Sequence, residues 1–165
     1  MIKKIVASLL VFGSSYTYAQ TDSTINISPV KSISTQRYIA LMNGIDLDNM
    51  TAVAELNHYP MPDKVLKYKK PLDLSPAQLN KIIQISTELH RKRVEMGKNI
   101  IVNEKKLDDL FRTRKVDDGI IIYYTNRYGL YQGEIRNAIL QACYKSEELL
   151  SEGQLKQLAI LENHK

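Results

Sequence analysis

The sequence contains a single cysteine, Cys143, among its 165 residues. One cysteine cannot form an intramolecular disulfide, and it cannot supply the cysteine cluster of a structural zinc site. In an oxidising compartment a lone cysteine is either buried in a helix interface or available to bridge two subunits. Because unpaired cysteines are among the most buried residues in folded proteins, burial is favoured.

Catalytic and nucleotide-binding motifs are also missing. No glycine-rich segment is followed by Lys-Ser or Lys-Thr, which argues against a phosphate-binding loop of that type. No Ser-His-Asp or Cys-His arrangement is supported by its context, and the pairs Asp108–Asp109 and Asp117–Asp118 suit exposed helix ends better than a catalytic pocket. We therefore expect a protein that is not an enzyme and that does not use ATP.

A long apolar run of the membrane-spanning kind is not found at the N-terminus. Residues 1–20 place Lys3 and Lys4 before a short apolar run from Ile5 to Phe12, followed by small and polar residues. The run is far shorter than the ~20 residues of a spanning helix. This pattern predicts a cleaved secretory signal peptide, and no cysteine lies near the cleavage site to carry a lipoprotein anchor. We expect an exported, periplasmic protein.

The expected mature chain is small and mildly basic. Removing residues 1–20 from the 165 leaves 145, enough for one domain with a modest core. The formal net charge falls from +5 to +3, because the signal segment carries two lysines and no acid. Such a charge on an exported protein favours acidic or unfolded polypeptides, or a membrane surface, over nucleic acid. Residues 21–34 are polar and aperiodic, which predicts a flexible tether before a single domain over residues 35–165.

The domain has the periodicity of helices. Short helical patterns precede Gly44 and cover residues 50–56, and residues 63–70 allow at most two turns. Over residues 75–112 apolar side chains recur every three or four positions, which predicts one helix on the order of 55 Å long. Asp117 is a suitable N-cap for a second long helix. The pattern predicts an all-α protein built on a long helical hairpin with short flanking helices.

The second long helix contains two glycines and several tyrosines. Gly129 and Gly133 each weaken it by about 1 kcal/mol relative to alanine, and close packing or a local bend explains them better than a hinge. Tyr124, Tyr128 and Tyr131 follow its apolar stripe. We expect them to pack in the core rather than to form an aromatic binding face.

One hexapeptide pattern occurs twice, as LSPAQL and LSEGQL, with its serines 76 positions apart. In each copy the serine side chain can accept from the backbone amide of the glutamine, and the glutamine side chain can accept from the serine amide, which is a capping box. The outer leucines can form hydrophobic staples, and Pro76 strengthens the first copy. The motif residues are Leu74, Ser75, Gln78 and Leu79 in the first copy, and Leu150, Ser151, Gln154 and Leu155 in the second.

Two such boxes flanking a long helical hairpin, behind a signal peptide, resemble the LTxxQ family of exported proteins, which includes Spy, CpxP and related heavy-metal-resistance sensors. Ser75 and Ser151 stand where the family usually has threonine, and serine preserves the cap. Residues 54–66 and the corner at residues 104–118 are similar to the corresponding family segments, so the resemblance covers residues 35–161. It implies that two hairpins intertwine as an antiparallel homodimer that forms a curved cradle.

The resemblance also implies an ATP-independent periplasmic chaperone that holds unfolded or misfolded envelope proteins during stress. Such a surface needs positive charge for long-range attraction and flexible apolar contacts for promiscuity. The first long helix offers both, although a solvated basic helix face is the simpler explanation of its charges. The candidate client-binding residues are Arg91, Lys92, Arg93, Met96, Lys98 and Lys105.

The metal-sensing relatives suggest an alternative function, a metal-responsive periplasmic regulator that acts on a sensor kinase or an anti-sigma partner. His58 and His90 are the candidate metal ligands. Neither has a second ligand at a spacing that would place both on one helix face. We expect no cofactor, and a bound metal ion remains the alternative.

Overall fold

The computed structural model describes residues 28–163, and these fold into helices joined by turns, with no β-strand. The predicted signal peptide lies outside the described residues. The helices of the described part are α1 (Thr35–Asn43), α2 (Ala52–Glu55), α3 (Pro62–Lys67), α4 (Pro76–Arg112), α5 (Asp118–Glu148) and α6 (Glu152–Asn163). The predicted all-α class and helical hairpin are confirmed. None of these helices has the length and apolar character that crossing a membrane requires.

The last residues of the predicted tether belong to the fold. Val30 and Ile33 are 2% and 7% exposed, and both lie in the main core. The Ile33 amide donates to the Val30 carbonyl (3.1 Å), and Ser34 then caps α1 by accepting from the Arg37 amide (3.2 Å). The prediction of a flexible tether is therefore wrong for residues 28–34, because two apolar side chains anchor a segment whose composition is otherwise polar.

Helix α1 crosses α4 at very short range. It ends at Gly44, the predicted stop, which adopts a left-handed conformation (φ 61°) and donates its amide to the Ala40 carbonyl. At the crossing, a Cβ atom added to Gly97 would lie 2.9 Å from the carbonyl carbon of Leu41 and closer still to its oxygen. Only glycine permits this approach of the two backbones, so Gly97 sets the position of α1 on the hairpin.

Helices α4 and α5 form the hairpin and are joined by a turn at residues 113–117. Arg114 has a positive φ of 54° in this turn. Asp117 caps α5 as predicted, because its Oδ1 accepts from the Ile120 amide (2.8 Å). The short helices pack on this hairpin, α1 and α3 against α4, and α2 and α3 against α5.

Two clusters of buried apolar side chains hold the helices together. The main cluster lies along the middle of the hairpin, and its buried members are Val30, Ile33, Leu41, Ala54, Met61, Leu89, Met96, Ile100, Ile135, Ile139, Ala142 and Cys143. The second cluster lies at the base of the hairpin, at the opposite end from the turn, and its buried members are Val65, Leu72, Ile82, Leu150 and Leu158. Helix α6 thus folds back onto the start of α4.

Cys143 is fully buried in the main cluster, as predicted. Its Sγ lies 3.4 Å from the Sδ of Met61. Burial raises the pKa of the thiol to about 11, so the thiol stays protonated at neutral pH.

The outer half of α5 is less tightly packed than its inner half. A Cβ atom added to Gly129 or Gly133 would meet no atom within 4 Å, so close packing does not explain these glycines. Tyr128 and Tyr131 do pack against the main cluster, as predicted. Tyr124 is half-buried.

Candidate functional site

The two repeated motifs meet in space, and their glutamines bind each other. Gln78 Nε2 donates to Gln154 Oε1 (2.9 Å), and Gln154 Nε2 donates to Gln78 Oε1 (3.3 Å). Each glutamine also donates to a backbone carbonyl beside the other motif, Gln78 to Leu149 (2.7 Å) and Gln154 to Leu72 (3.1 Å). We call this pair the glutamine clasp. It ties the start of α4 to the start of α6.

Both predicted capping boxes are present within the clasp. Ser75 Oγ accepts from the Gln78 amide (3.2 Å), and the Ser75 amide donates to Gln78 Oε1 (3.0 Å). The corresponding distances between Ser151 and Gln154 are 3.2 Å and 2.9 Å. Each glutamine oxygen therefore accepts two hydrogen bonds and each nitrogen donates two, which uses the full capacity of both side chains. An ionised glutamate could complete a capping box, because it accepts hydrogen bonds, but it could not form the clasp, because it has no N–H group to donate.

Three of the four motif leucines pack in the second apolar cluster, next to the clasp. Leu74, Leu150 and Leu155 pack in the second cluster, and Leu79 is half-buried. The eight motif residues thus build the base of the hairpin.

One face of the hairpin carries an open groove of about 500 Å³, which we call the hairpin groove. All of its lining residues belong to α4 and α5. Its apolar lining consists of Ile85, Leu89, Ala138 and Ala142. Its polar and charged lining consists of Lys81, Gln84, Glu88, Lys92, Glu134, Asn137, Gln141 and Lys145. The groove is an apolar surface bordered by charge, with three lysines against two glutamates.

One of the two groove glutamates, Glu88, belongs to a cluster of ion pairs on α4. Glu88 Oε1 and Oε2 accept from Arg91 Nη2 (2.6 Å) and Nε (2.8 Å), and Arg91 Nη1 also donates to Glu95 (2.7 Å). The hydrogen bond from Arg91 holds the pKa of Glu88 below its ordinary value. Arg91 is shared between Glu88 and Glu95, so the groove keeps only the small positive excess of its three lysines over its two glutamates.

Two of the six candidate client-binding residues lie on the core side of α4, one buried and one half-buried. Met96 is 7% exposed and lies in the main cluster, where its place on the apolar stripe of α4 also puts it. Arg93 is half-buried, and burial lowers its pKa while Asp46 and Asp63 oppose that shift. Both residues are parts of the core side of α4.

The other four candidates lie on two different stripes of α4. Arg91, Lys98 and Lys105 are spaced by seven residues, so they share one side of the helix, and all three are exposed. Lys92 alone lines the hairpin groove. The structure therefore separates Lys92 from the other basic residues and adds Lys81, from the start of α4, and Lys145, from α5; the sequence analysis chose only the basic residues in the middle of α4.

A smaller pocket of about 160 Å³ lies between α4 and α5 nearer the turn, and we call it the arm pocket. It is lined by Asn99, Val102, Asn103 and Lys106 of α4, and by Tyr123, Tyr124, Arg127 and Tyr131 of α5. The Arg127 guanidinium donates to the hydroxyl of Tyr123 (2.6 Å) and to that of Tyr131. These hydrogen bonds raise the pKa of Arg127. They hold the guanidinium in one orientation at the pocket.

Asn103 is the one residue in the arm pocket with an unpaired buried atom. It is 4% exposed, and its Nδ2 donates to the Tyr124 carbonyl across the hairpin (3.0 Å). Its Oδ1 is buried and has no hydrogen-bond partner among the described residues. In the sequence, the only indication of this residue is a polar amide at a buried position of α4.

The two candidate metal ligands lie on separate elements. His58 is exposed, has a positive φ of 65°, and lines a cleft of about 230 Å³ with Glu55, Glu147 and Glu162. His90 is exposed on α4. Among residues 28–163, no group of three or more histidine, cysteine, aspartate or glutamate side chains is placed to hold a metal ion.

Compared with protein-family profiles, with curated protein sequences and with solved structures, the chain has no significant match in any of the three. The resemblance to the LTxxQ proteins therefore rests on the two motifs and the hairpin between them.

Proposed function

We propose that this protein is an ATP-independent chaperone of the cell envelope that binds unfolded or misfolded polypeptides in the hairpin groove. The observation that carries the proposal is the groove, an apolar strip between α4 and α5 bordered by Lys81, Lys92 and Lys145. None of the described short helices lines it. It is therefore open to an extended or helical segment of another chain.

The chemistry of the groove suits clients without a fixed sequence. Apolar burial is non-directional, so the strip that contains Ile85 and Leu89 can take many apolar side chains. The lysines attract acidic segments over about 10 Å at moderate salt, which increases the encounter rate more than the affinity. Binding and release of this kind need no nucleotide and no catalytic residue, so we propose a binding protein and not an enzyme.

A second copy of the chain is the partner that we propose for the outer part of the hairpin. Several apolar side chains there are more than half exposed, namely Val102, Phe111, Ile122, Tyr123 and Leu130. Surfaces of this kind on a two-helix arm are commonly covered by association. Sedimentation velocity of the mature chain should give the mass of a dimer, and a monomer at high micromolar concentration would contradict this part of the proposal.

Light scattering from an aggregating client tests the chaperone function. The protein used is residues 21–165, without ATP, at increasing ratios to a thermally or chemically unfolded client. We expect saturable suppression of scattering. Lys92→Glu should weaken suppression several-fold because it reverses a charge on the groove, whereas Lys98→Glu makes the same change on the exposed stripe of α4 and should have little effect. Absence of suppression at several-fold excess would contradict the proposal.

A further inference from the structure

The hairpin groove has two ends that can be distinguished. Its walls are residues 81–92 of α4 and residues 134–145 of α5, and the two helices are antiparallel. The base end lies near the clasp, where the Gln78 side chain donates to the Leu149 carbonyl (2.7 Å), and the outer end lies toward the turn. Each wall spans about eleven residue steps, on the order of 17 Å at ~1.5 Å per residue, which is the length of a three-turn helix.

The charge of the groove differs between these ends. At the base end, Lys81 and Lys145 lie on opposite walls, and no glutamate of the lining lies at their level. At the outer end, Lys92 on one wall is opposed by Glu134 on the other, and Glu88 lies between the two ends. The small positive excess of the groove is therefore concentrated at its base end.

The acids that follow Lys145 on α5 do not cancel the charge of the base end. Glu147 lines the separate cleft of about 230 Å³ beside α6. Glu148 does not line the groove, and its Oε1 accepts from the Tyr144 hydroxyl (2.6 Å). On the other wall, residues 76–80 at the start of α4 contain no acid. The base end thus attracts a negatively charged group on a client.

An α-helix has a charge pattern that complements this gradient. The backbone dipole favours acidic side chains in the first turn of a helix and basic side chains in its last turn. A client helix whose first turn lies at the base end places its acids beside Lys81 and Lys145. The opposite direction would bring a basic last turn against the same two lysines. Charge complementarity therefore selects one direction of binding.

The floor of the groove also suits a helix. Ile85 and Ala138 are half-buried, and the buried Leu89 and Ala142 complete the apolar strip between them. The alanine side chains are short, so a third helix can approach this pair of helices closely. The walls are helical and offer no strand edge to the backbone of an extended segment, whereas a helix satisfies its own backbone groups. Helices α1 and α3 already pack on this hairpin outside the groove.

We propose that the hairpin groove selects amphipathic helical segments of its clients and binds them in one direction, with the acidic first turn beside Lys81 and Lys145 and the last turn toward Glu134. This inference rests on the proposed function and adds the form and the direction of the bound segment. It implies that a client can keep or form a helix while it is bound.

Isothermal titration of residues 21–165 with two capped peptides of about twelve residues tests the selection of helices. The first peptide has apolar residues every three or four positions, two glutamates in its first turn and two lysines in its last turn. The second contains the same residues, reordered so that the apolar ones alternate. We expect the first to bind about tenfold or more tightly, since one unpaired backbone group in the extended peptide is enough for this factor. The helical circular dichroism of the first peptide should increase on binding.

A nitroxide label on the first peptide tests the direction of binding. Attached beside the glutamates, it should broaden the backbone amide signals of Lys81 and Lys145 more than those of Lys92 and Glu134. Attached beside the lysines of the peptide, it should give the reverse pattern. This readout reports position and does not depend on affinity.

Charge reversal at the base end supplies a matched pair of variants. The double variant Lys81→Glu/Lys145→Glu should weaken binding of the first peptide several-fold. Lys98→Glu/Lys105→Glu makes the same change of charge on the exposed stripe of α4 and should bind like the unmodified protein.

Equal affinity for the two peptides, no gain of helix on binding, or equal broadening at both ends would each overturn the inference. If a permanently unfolded polypeptide still shifts the groove amides in any of those cases, the chaperone proposal stands without the selection of helices. If neither the peptides nor the unfolded polypeptide shift the groove amides, both proposals fail.

Discussion

Gln78 and Gln154 are 76 positions apart in the chain, yet the side-chain nitrogen of each donates a hydrogen bond to the side-chain oxygen of the other. The two N–O distances are 2.9 Å and 3.3 Å. The same oxygens accept from the amides of Ser75 and Ser151. The two glutamine side chains thus help to cap the N-termini of α4 and α6 and also join these helices to each other. This explains why the chain repeats a motif with glutamine, and not glutamate, at both third positions.

Removal of one glutamine should cost more than loss of a helix cap. Gln78→Ala leaves the Leu149 carbonyl without its partner and removes two of the four side-chain hydrogen bonds of Gln154, so we expect a loss of about 1–3 kcal/mol in the free energy of unfolding. Gln154→Ala should have a similar effect, and urea denaturation of the double variant should give a coupling energy of about 0.5–3 kcal/mol. Gln84→Ala, exposed on the same helix, should stay within about 0.5 kcal/mol. Additive effects of the two clasp variants would contradict the clasp.

Gln78→Glu separates the clasp from the capping box. The glutamate can still accept from the Ser75 amide, but when ionised it cannot donate to Gln154 or to the Leu149 carbonyl. Protonation restores a donor, so the folded state should raise the pKa of the new carboxyl. The stability of this variant relative to the unmodified protein should therefore be highest below its unfolded pKa and fall as pH rises through the folded pKa. A pH-independent difference in melting temperature would show that the capping box alone matters.

Gly97 and Gly129 should respond in opposite directions to the same substitution. Gly97→Ala places a methyl group against the Leu41 backbone, so α1 must shift, at a cost of about 1–3 kcal/mol or more. Gly129→Ala meets no atom within 4 Å and lies in a helix interior, so it should stabilise the protein by about 0.4–1 kcal/mol. Thermal unfolding followed by circular dichroism measures both. A destabilising Gly129→Ala would indicate that this glycine acts as a hinge after all.

The buried Cys143 thiol should make the protein sensitive to alkali. Its pKa is raised to about 11 in the folded state, against about 8.5 for an unfolded cysteine. Between these values the folded state binds more protons than the unfolded state, so stability falls as pH rises, by at most about 1.4 kcal/mol per pH unit. Cys143→Ala should lack this contribution, and the difference between the two urea-denaturation series isolates it from the lysines and tyrosines. Parallel stability curves from pH 9 to 11 would contradict the burial of the thiol.

Local features of the fold could be predicted from sequence because they depend on neighbouring residues. The caps at Ser75, Asp117 and Ser151, the stop at Gly44 and the length of α4 follow from spacing and hydrogen-bonding chemistry within one turn. The clasp could not be predicted in this way, since a capping box places no demand on a distant residue. The only indication of the clasp in the sequence is that both copies of the motif have glutamine at this position.

The candidate site was less predictable, because a groove is a property of two helices and of what covers them. Several basic residues of α4 were candidates, but sequence alone did not assign Lys92 to the groove and Arg93 to the core side. Lys145 was missed because it reaches the groove only after α5 folds back. Met96 fits both the apolar stripe of α4 and the predicted client-binding surface, and in the structure it is buried in the main cluster.

The measurement that tests the central claim most directly is a backbone amide shift map of residues 21–165 titrated with a permanently unfolded polypeptide. If the hairpin groove binds clients, the largest shifts should fall at Ile85, Lys92 and Ala138, and Lys92→Glu should reduce them while Lys98→Glu does not. Shifts confined to other surfaces, or no shifts at saturating client, would contradict the account.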